Sequence, residues 1–236
     1  MKSKLFTAAL AALVLASCAP KENGYFDNLP QEASPIEIGN KITNRFLEQG
    51  HSQYGSPLRV NEPRTQITYP DVCTWLGGLW FAQETDNKEL TERLKARFEP
   101  LFTNEAYLQP KPNHVDNNVF GAVPLELYLQ TGEERYKTLG MMYADSQWEL
   151  PANWKLEEGE ERQSSMYGDF KDADICQPEQ KEWADKGYSW QTRFWLDDMY
   201  MITTIQAQAY RVTNDRKYID RAAREMVLYL DSIQQT

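Results

Sequence analysis

The residues with the clearest chemical potential lie in the stretch GYSWQTRFWLDDMYM, residues 187–201. Two adjacent aspartates, Asp197 and Asp198, stand there among aromatic residues that include Trp190 and Trp195. Aromatic surroundings desolvate a carboxyl group, and desolvation or a neighbouring negative charge raises its pKa. A carboxyl group with a raised pKa can donate a proton near neutral pH and take one back afterwards. The stretch therefore indicates general acid and base catalysis.

Groups for other kinds of catalysis are scarce in this sequence. The sequence has two histidines, His51 and His114, which are few for a histidine metal cluster or a Ser/His/Asp triad. The position of His114 is more typical of a surface turn. Cys73 and Cys176 have no CxxC spacing, so buried thiols are favoured, and a disulfide stays open as the alternative. We expect carboxylate chemistry that needs no metal and no cofactor.

The net charge limits the classes of partner. The formal charge is −10 at pH 7. Nucleic acid requires a basic surface, so we exclude it, and a long polyanion lying across the whole surface is disfavoured for the same reason. A local basic pocket can still bind a single acidic sugar.

Helices are predicted through most of the chain. Apolar residues recur at spacings of three and four, and no segment alternates convincingly between apolar and polar residues. We place the start of a long helix within residues 187–201. At about 100° per residue, Trp190, Arg193 and Asp197 then share one stripe, and Asp198 points roughly a quarter of a turn away.

The predicted helices form a repeating series of hairpins. Thr85, Thr131 and Thr213 each follow an apolar helix and precede a turn of Gly, Asn or Asp and an acidic helix start. An insert at about residues 150–187 explains the larger gap between the last two. The first helix of each pair is rich in small and apolar residues and suits an inner layer, whereas the charged second helix suits an outer layer.

Two all-α architectures fit such hairpins, an open solenoid and the closed (α/α)6 barrel. The closed form needs six pairs. The sequence shows three clear pairs and a helix at about residues 36–50, and it stops just after a strongly apolar helix. We therefore expect an incomplete barrel.

The first residues read as a bacterial lipoprotein signal. Residues 1–18 carry a charged start, a short apolar run and the box Leu-Ala-Ser-Cys, which predicts cleavage before Cys18 and lipidation of that residue. An ordinary secretory peptide is the alternative. Residues 19–35 are polar and predict a tether. We expect a protein of the cell envelope, on the periplasmic side or the cell surface, held to the membrane only through this lipid.

Two stretches carry a family resemblance, HVDNNVFGAVPLELYLQTG and YSWQTRFWLDDMYM. Together with the hairpin rhythm between them, they resemble glycoside hydrolase families 88 and 105, the unsaturated glucuronyl and rhamnogalacturonyl hydrolases. The resemblance runs from about Tyr69 to the end of the sequence and implies that residues 36–236 form a partial (α/α)6 glycoside hydrolase domain. The implied substrate is an oligosaccharide left by a polysaccharide lyase, with a 4,5-unsaturated uronic acid at its non-reducing end.

The resemblance also implies roles for two carboxylates. Asp197, in the Trp-x-Asp element that precedes Tyr-Met, matches the catalytic general acid and base. Asp116 matches a second essential carboxylate. The implied reaction protonates the C4=C5 vinyl ether and adds water at C5. Asp116 also has a purely structural alternative, because an aspartate before a helical run commonly caps it.

Four further residues are candidates for substrate binding. Arg193, one predicted turn before Asp197, suits a two-pronged hydrogen bond with a substrate carboxylate, and a salt bridge to one of the aspartates is the alternative. Trp195, Trp190 and Tyr188 can stack on a sugar, or they can be core residues at helical spacing.

Two sequence features complicate the assignment. Many relatives have glycine after the catalytic aspartate, where this chain has Asp198, so the site either gains negative charge or buries that residue in helix packing. Pro124 lies inside a predicted helix and indicates a bend.

Other classes of function also fit the pattern. A lipid-anchored helical carbohydrate-binding protein without catalysis is the main alternative. A helical scaffold that binds proteins and a different (α/α) barrel enzyme, such as a lyase or epimerase, are the others.

Overall fold

Helices are the only regular elements in the computed structural model, which describes residues 29–51, 65–150 and 178–234. They are α1 (Pro35–Glu48), α2 (Tyr69–Glu84), α3 (Lys88–Phe98), α4 (Val115–Asn118), α5 (Ala122–Thr131), α6 (Glu134–Ser146), α7 (Pro178–Asp185), α8 (Asp198–Thr213) and α9 (Arg216–Ile233). Short 3-10 turns lie at Gln31–Ala33, Glu99–Phe102, Ala106–Leu108 and Val119–Gly121. The prediction of an all-α chain is confirmed. No helix in these ranges is long and apolar enough to cross a bilayer.

Some predictions concern residues outside the described ranges. These are the lipoprotein signal with Cys18, most of the tether, Cys176, and most of the insert at about 150–187. The described residues up to Lys41 belong to one compact unit, with the turn at Gln31–Ala33 and the start of α1. The residues from Ile42 onwards form a second unit, to which all the features below belong.

The three threonines of the predicted repeat end the first helix of three hairpins. The hydroxyls of Thr85, Thr131 and Thr213 each donate to the carbonyl oxygen four residues earlier, at 2.7 Å. A residue with left-handed backbone follows each threonine, and these are Asp86 (φ 49°), Gly132 (φ 77°) and Asn214 (φ 55°). A left-handed residue stops a right-handed helix and turns the chain back. The pairs α2–α3, α5–α6 and α8–α9 follow from this common turn chemistry.

The first helices of the hairpins form an inner layer. Helix α5 contacts both α2 and α8, and each of the three contacts its own partner, α3, α6 or α9. The outer helices bury a narrower stripe: α3 buries Leu90, Leu94 and Phe98, which are spaced by four residues. This arrangement confirms the predicted division into apolar inner helices and charged outer ones.

A close approach between the start of α5 and α6 depends on glycine. A Cβ atom at Gly121 would lie 2.5 Å from Cβ of Tyr143, 2.6 Å from Cδ1 of Ile205 and 3.0 Å from the carbonyl oxygen of Gly140. We expect Gly121→Ala to lower the free energy of unfolding by about 1–3 kcal/mol, because the packed neighbours must move. Urea unfolding followed by circular dichroism measures this change.

Gly77 provides a matched control for that substitution. It lies inside α2, and a Cβ atom there would have no neighbour within 4 Å. Gly77→Ala should therefore raise the free energy of unfolding, by up to about 1 kcal/mol, through helix propensity alone. Equal effects of the two substitutions would contradict the proposed close packing at Gly121.

A buried carboxylate joins the three inner helices. Glu126 of α5 is fully buried, and its Oε2 accepts hydrogen bonds from Trp80 Nε1 of α2 (3.0 Å), and from Gln208 Nε2 (2.6 Å) and an Arg211 nitrogen (2.6 Å) of α8. Its Oε1 accepts from Gln130 at 3.0 Å. Burial favours the neutral form, yet these hydrogen bonds and the charge of Arg211 outweigh it and lower the pKa of Glu126.

The helical run before α5 is interrupted, but not by its proline. Helix α4 ends at Asn118, and the 3-10 turn Val119–Gly121 precedes α5. Pro124 is the third residue of α5, where the backbone N–H has no partner within the helix, so proline is tolerated there. The helix is therefore not bent at Pro124 as predicted; instead, the helical run is interrupted at Val119–Gly121, before Pro124.

Candidate active site

The segment before α8, residues 187–197, is a loop with turns and is called the site loop below. Helix α8 begins at Asp198, inside the stretch where a helix start is predicted, but Trp190, Arg193 and Asp197 all precede its first residue. Gly187 (φ 81°) and Phe194 (φ 60°) have left-handed backbone, which a right-handed helix excludes. The predicted helical stripe of Trp190, Arg193 and Asp197 therefore does not form.

Helix α9 holds the site loop through a buried carboxylate and an aromatic ring. Glu225 Oε2 accepts from the backbone N–H of Ser189 at 3.2 Å, and its Oε1 accepts from the hydroxyl of Thr192. The ring of Tyr229 packs on that of Phe194, with 5.2 Å between centroids. These contacts offset part of the strain of a left-handed phenylalanine.

Arg193 lies at the centre of the site. Its Nε donates to both carboxylate oxygens of Asp198, at 2.9 and 3.1 Å. Its NH2 lies 2.9 Å from Asp198 Oδ1 and donates to Asp116 Oδ1 at 2.8 Å. The two-pronged edge of the guanidinium is thus occupied by Asp198, which supports the salt-bridge alternative over the expected clamp on a substrate carboxylate.

Asp198 is the buried aspartate of the pair. Its side chain is 0% exposed. Besides Arg193, its Oδ2 accepts from the hydroxyl of Tyr229 at 3.1 Å and from the backbone N–H of Trp195 at 3.3 Å. Burial raises the pKa of Asp198, and the hydrogen bonds from these groups oppose the rise. The prediction that Asp198 turns away from Arg193 is wrong, because the two residues meet across the loop rather than along a helix.

Asp197 is exposed, in contrast to the dry aromatic pocket that its neighbours in sequence predict. It is the residue before the first turn of α8, and its carboxylate does not cap that helix. The Nε1 of Trp190 donates to the carbonyl oxygen of Ser146, and the ring of Phe194 packs on that of Tyr229. The carboxyl group of Asp197 is accessible to a ligand.

The pKa of Asp116 is raised, whereas the sequence predicts a raised pKa for the carboxyl group in the aromatic stretch, Asp197. Burial is the main cause, and the negative charges of Asp198 and Asp197 add to it, while Arg193 opposes it. Asp197 therefore interacts electrostatically with Asp116 although 81 positions separate them in the sequence. A carboxyl group whose pKa is raised is suited to hold and transfer a proton, so Asp116 has this property in the site.

The cap of α4 is not Asp116. His114 is the residue before the first turn, with Nδ1 3.2 Å from the backbone nitrogen of Asp116, and Asp116 lies within the first turn. The second nitrogen of His114, Nε2, lies 2.9 Å from a terminal nitrogen of Arg193. A neutral imidazole has only one ring nitrogen that accepts, so the contacts compete. We place the lone pair on Nε2, since the contact with the charged guanidinium is shorter.

His114 makes stability depend on pH. Burial, with a contribution from the charge of Arg193, lowers its pKa to about 4 from an ordinary value of 6.5. Between these values the unfolded chain binds a proton that the folded protein does not. The free energy of unfolding should therefore fall, by roughly 1–3 kcal/mol, as the pH drops from 6.5 to about 4.

The measurement is urea unfolding over that pH range for wild type and His114→Gln, which keeps a hydrogen-bond acceptor and does not titrate. The variant should lose most of the dependence. His51, whose pKa is also lowered by burial, supplies a remainder in both proteins. An unchanged pH slope in the variant would contradict the assignment to His114.

The three aromatic candidates have different surroundings. Trp195 is 48% exposed, and the Arg193 guanidinium lies 4.8 Å from its ring centroid. Trp190 is 1% exposed and its Nε1 donates to the carbonyl oxygen of Ser146, so its prediction as a sugar platform is wrong and the core alternative holds. Tyr188 is half-buried and packs against Trp183 of α7 and Arg224 of α9.

Sequence reasoning missed the contribution of α9. Glu225 and Tyr229 lie four residues apart on its buried face, together with Tyr218 and Ala222. Glu225 interrupts an apolar stripe of helical spacing, and this pattern predicts that the glutamate has a buried polar partner. The pattern does not say which group the glutamate meets.

The described part of the chain contains no group of three or more His, Cys, Asp or Glu side chains that could hold a metal ion.

The sequence was compared with known protein families, and the model of Glycosyl Hydrolase Family 88 matches residues 38–235. No curated protein and no solved structure matches the chain significantly.

Proposed function

Because the chain belongs to glycosyl hydrolase family 88, we propose that it removes a 4,5-unsaturated uronic acid from the non-reducing end of oligosaccharides made by polysaccharide lyases. Membership in the family makes it a glycoside hydrolase with an oligosaccharide substrate. The particular bond and sugar are our proposal.

The observation that carries this proposal is the pair Asp116 and Asp197. The two carboxyl groups interact at the starts of α4 and α8, one of them with a raised pKa and the other open to a ligand. Hydration of a vinyl ether requires a proton donor and a base for water, and it requires neither a nucleophile nor a redox group. The pair supplies both functions.

In the proposed reaction Asp197 donates a proton to C4 of the C4=C5 bond. The positive charge that develops at C5 is shared with the ring oxygen, and a water molecule adds at C5 while Asp197 takes a proton back from it. The resulting hemiketal opens and releases the next sugar. One water is consumed, and nothing is oxidised or reduced overall.

The neighbouring residues have separate roles in this proposal. Asp116, held at Oδ1 by Arg193, is the second carboxylate, and burial raises its pKa. Trp195 is the exposed ring against which a sugar can stack. A bound sugar that covers Trp195 also excludes water from Asp197, which strengthens the electrostatic interactions in the site.

The test uses the full chain and a lyase-generated disaccharide with an unsaturated terminal uronic acid. The ultraviolet absorbance of the double bond should fall as reducing ends appear. The same disaccharide with a saturated uronic acid is the control, and it should not be cleaved. Cleavage of both at similar rates, or tight binding of the unsaturated sugar without turnover, would refute the proposal, and the second result would favour a carbohydrate-binding protein.

We also propose that the protein is a lipoprotein of the cell envelope. The support is the sequence of residues 1–18, in particular Leu-Ala-Ser-Cys at its end. Labelling of bacterial cells with a fatty acid should mark the protein, and Cys18→Ala should abolish the label. A label that persists in the variant would refute the anchor.

A further inference from the structure

We propose that Asp198 is a positioning residue for the reaction: it holds the Arg193 guanidinium in the one place from which Arg193 can bind Asp116. This inference rests on the proposed function for its catalytic meaning, and on geometry alone for the contacts.

Asp198 is built into the fold more firmly than any other carboxylate of the site. It starts α8, its side chain is 0% exposed, and both of its oxygens face the guanidinium. Tyr229 of α9 donates to Asp198 at 3.1 Å and accepts from the backbone N–H of Arg193 at 3.3 Å. The two helices together therefore fix the carboxylate and the loop that carries the guanidinium.

Asp198 is the fully buried partner of Arg193, whereas the other partners of the guanidinium, Asp116 at 2.8 Å and His114 at 2.9 Å, are partly exposed. Arg193 lies in the site loop next to the left-handed Phe194, and it contacts the half-exposed Trp195 on one side. An arginine side chain has many rotamers, so holding it in one of them costs conformational entropy. A bidentate hydrogen bond to a fixed carboxylate offsets that cost. Asp198 is that carboxylate, since it binds the Nε and NH2 edge and leaves the other side of NH2 to Asp116.

The consequence for Asp116 is a defined orientation. Arg193 binds its Oδ1 at 2.8 Å, and its Oδ2 lies 3.8 Å from His114 Nδ1, which is too long for a hydrogen bond. One oxygen is thus fixed by the protein, and the other is the better placed for Asp197 or a ligand.

The charges around Asp116 allow a test with opposite outcomes. Arg193 and His114 contact Asp116, and Asp197 and Asp198 act on it electrostatically. On α9, Glu225 and Tyr229 interact electrostatically with Asp198. On α6, the hydroxyl of Tyr143 donates a hydrogen bond to the carbonyl oxygen of Pro110. The negative charge of Asp198 raises the pKa of Asp116, and Arg193 lowers it. If Arg193 keeps its place without Asp198, Asp198→Asn must lower the pKa of Asp116. If Asp198 positions Arg193, the variant must raise it, because Arg193 lowers the pKa of Asp116 through both its charge and its hydrogen bond, and losing both outweighs losing the charge of Asp198.

The experiment is a pH titration of the protein with 13C-labelled aspartate carboxyl groups by NMR, with the Asp116 signal assigned through Asp116→Asn. We expect Asp198→Asn and Arg193→Gln both to raise the pKa of Asp116. A lowered or unchanged value in Asp198→Asn would overturn the proposal. Tyr229→Phe is a milder second variant in case Asp198→Asn does not fold, and it should shift the pKa in the same direction by less.

Kinetics supply the second readout. In Asp198→Asn we expect kcat to fall on the order of 10²-fold, with KM changed by less than about threefold, because a misplaced group affects the reacting geometry more than binding. An unchanged kcat in the folded variant would also overturn the proposal. The titration needs no substrate, so it stands even if the unsaturated disaccharide is not turned over, a result that would count against the proposed function alone.

Discussion

Asp197→Asn should reduce the turnover of an unsaturated disaccharide by about 10³-fold. Asparagine has nearly the same shape as aspartate, but its amide cannot donate the proton to C4 or accept one from water. Because Asp197 is exposed and does not cap α8, the substitution should leave folding intact. The loss should appear in kcat, with KM little changed, since the interaction removed is made in the transition state. Initial rates from ultraviolet absorbance over a range of substrate concentrations measure both constants.

Asp220→Asn is a matched control for this variant. Asp220 is an exposed aspartate of α9 that pairs with Arg216 at 3.2 Å, away from the candidate site. It should retain full activity. If Asp197→Asn kept more than about a tenth of the wild-type rate, proton transfer would have to be assigned to another group, and Asp116 would be the first to test.

Glu126→Gln is expected to have the largest effect on stability, a loss of about 3 kcal/mol in the free energy of unfolding. The carboxylate receives donors from three inner helices, among them Trp80 and Arg211. An amide at this position has a single oxygen and directs its own N–H groups at donors, so at least one buried donor loses its acceptor. Urea unfolding near neutral pH measures the loss.

The pH dependence of this loss has a definite sign. The pKa of Glu126 is lowered in the folded protein, so its contribution is complete above the ordinary value of 4.5 and disappears as the pH falls through the lowered pKa. The difference between wild type and Glu126→Gln should shrink below pH 4.5. Glu84→Gln, at an exposed position of α2, should change stability by less than about 0.5 kcal/mol. Similar losses in both variants would contradict the role of the buried carboxylate.

The fold was readable from the sequence because its determinants are local. Thr85, Thr131 and Thr213 bond to the carbonyl four residues back, and the residue after each has left-handed backbone. Both effects operate within a few residues, so the sequence pattern indicates them directly. The inner and outer layers follow from the width of the apolar stripe on each helix.

The site was less readable because its contacts are not local. The period of apolar residues cannot reveal that Phe194 adopts left-handed backbone or that Arg193 lies in a loop before α8. The sequence therefore left two partners open for Arg193, a substrate carboxylate or one of the aspartates, and it did not predict that Asp198 is buried and Asp197 exposed. Asp197 and Asp198 are adjacent in sequence, yet Asp197 is exposed to solvent and Asp198 is buried.

The bond from Arg193 to Asp116 spans 77 positions of the chain and joins α4 to the start of α8. Such a long loop closes late in folding, because its entropic cost must be met by contacts that already exist. We therefore expect the candidate site to form only when the second hairpin has docked on the third. In refolding, recovery of helical signal would precede recovery of activity, and the delay between them would report the time of that docking.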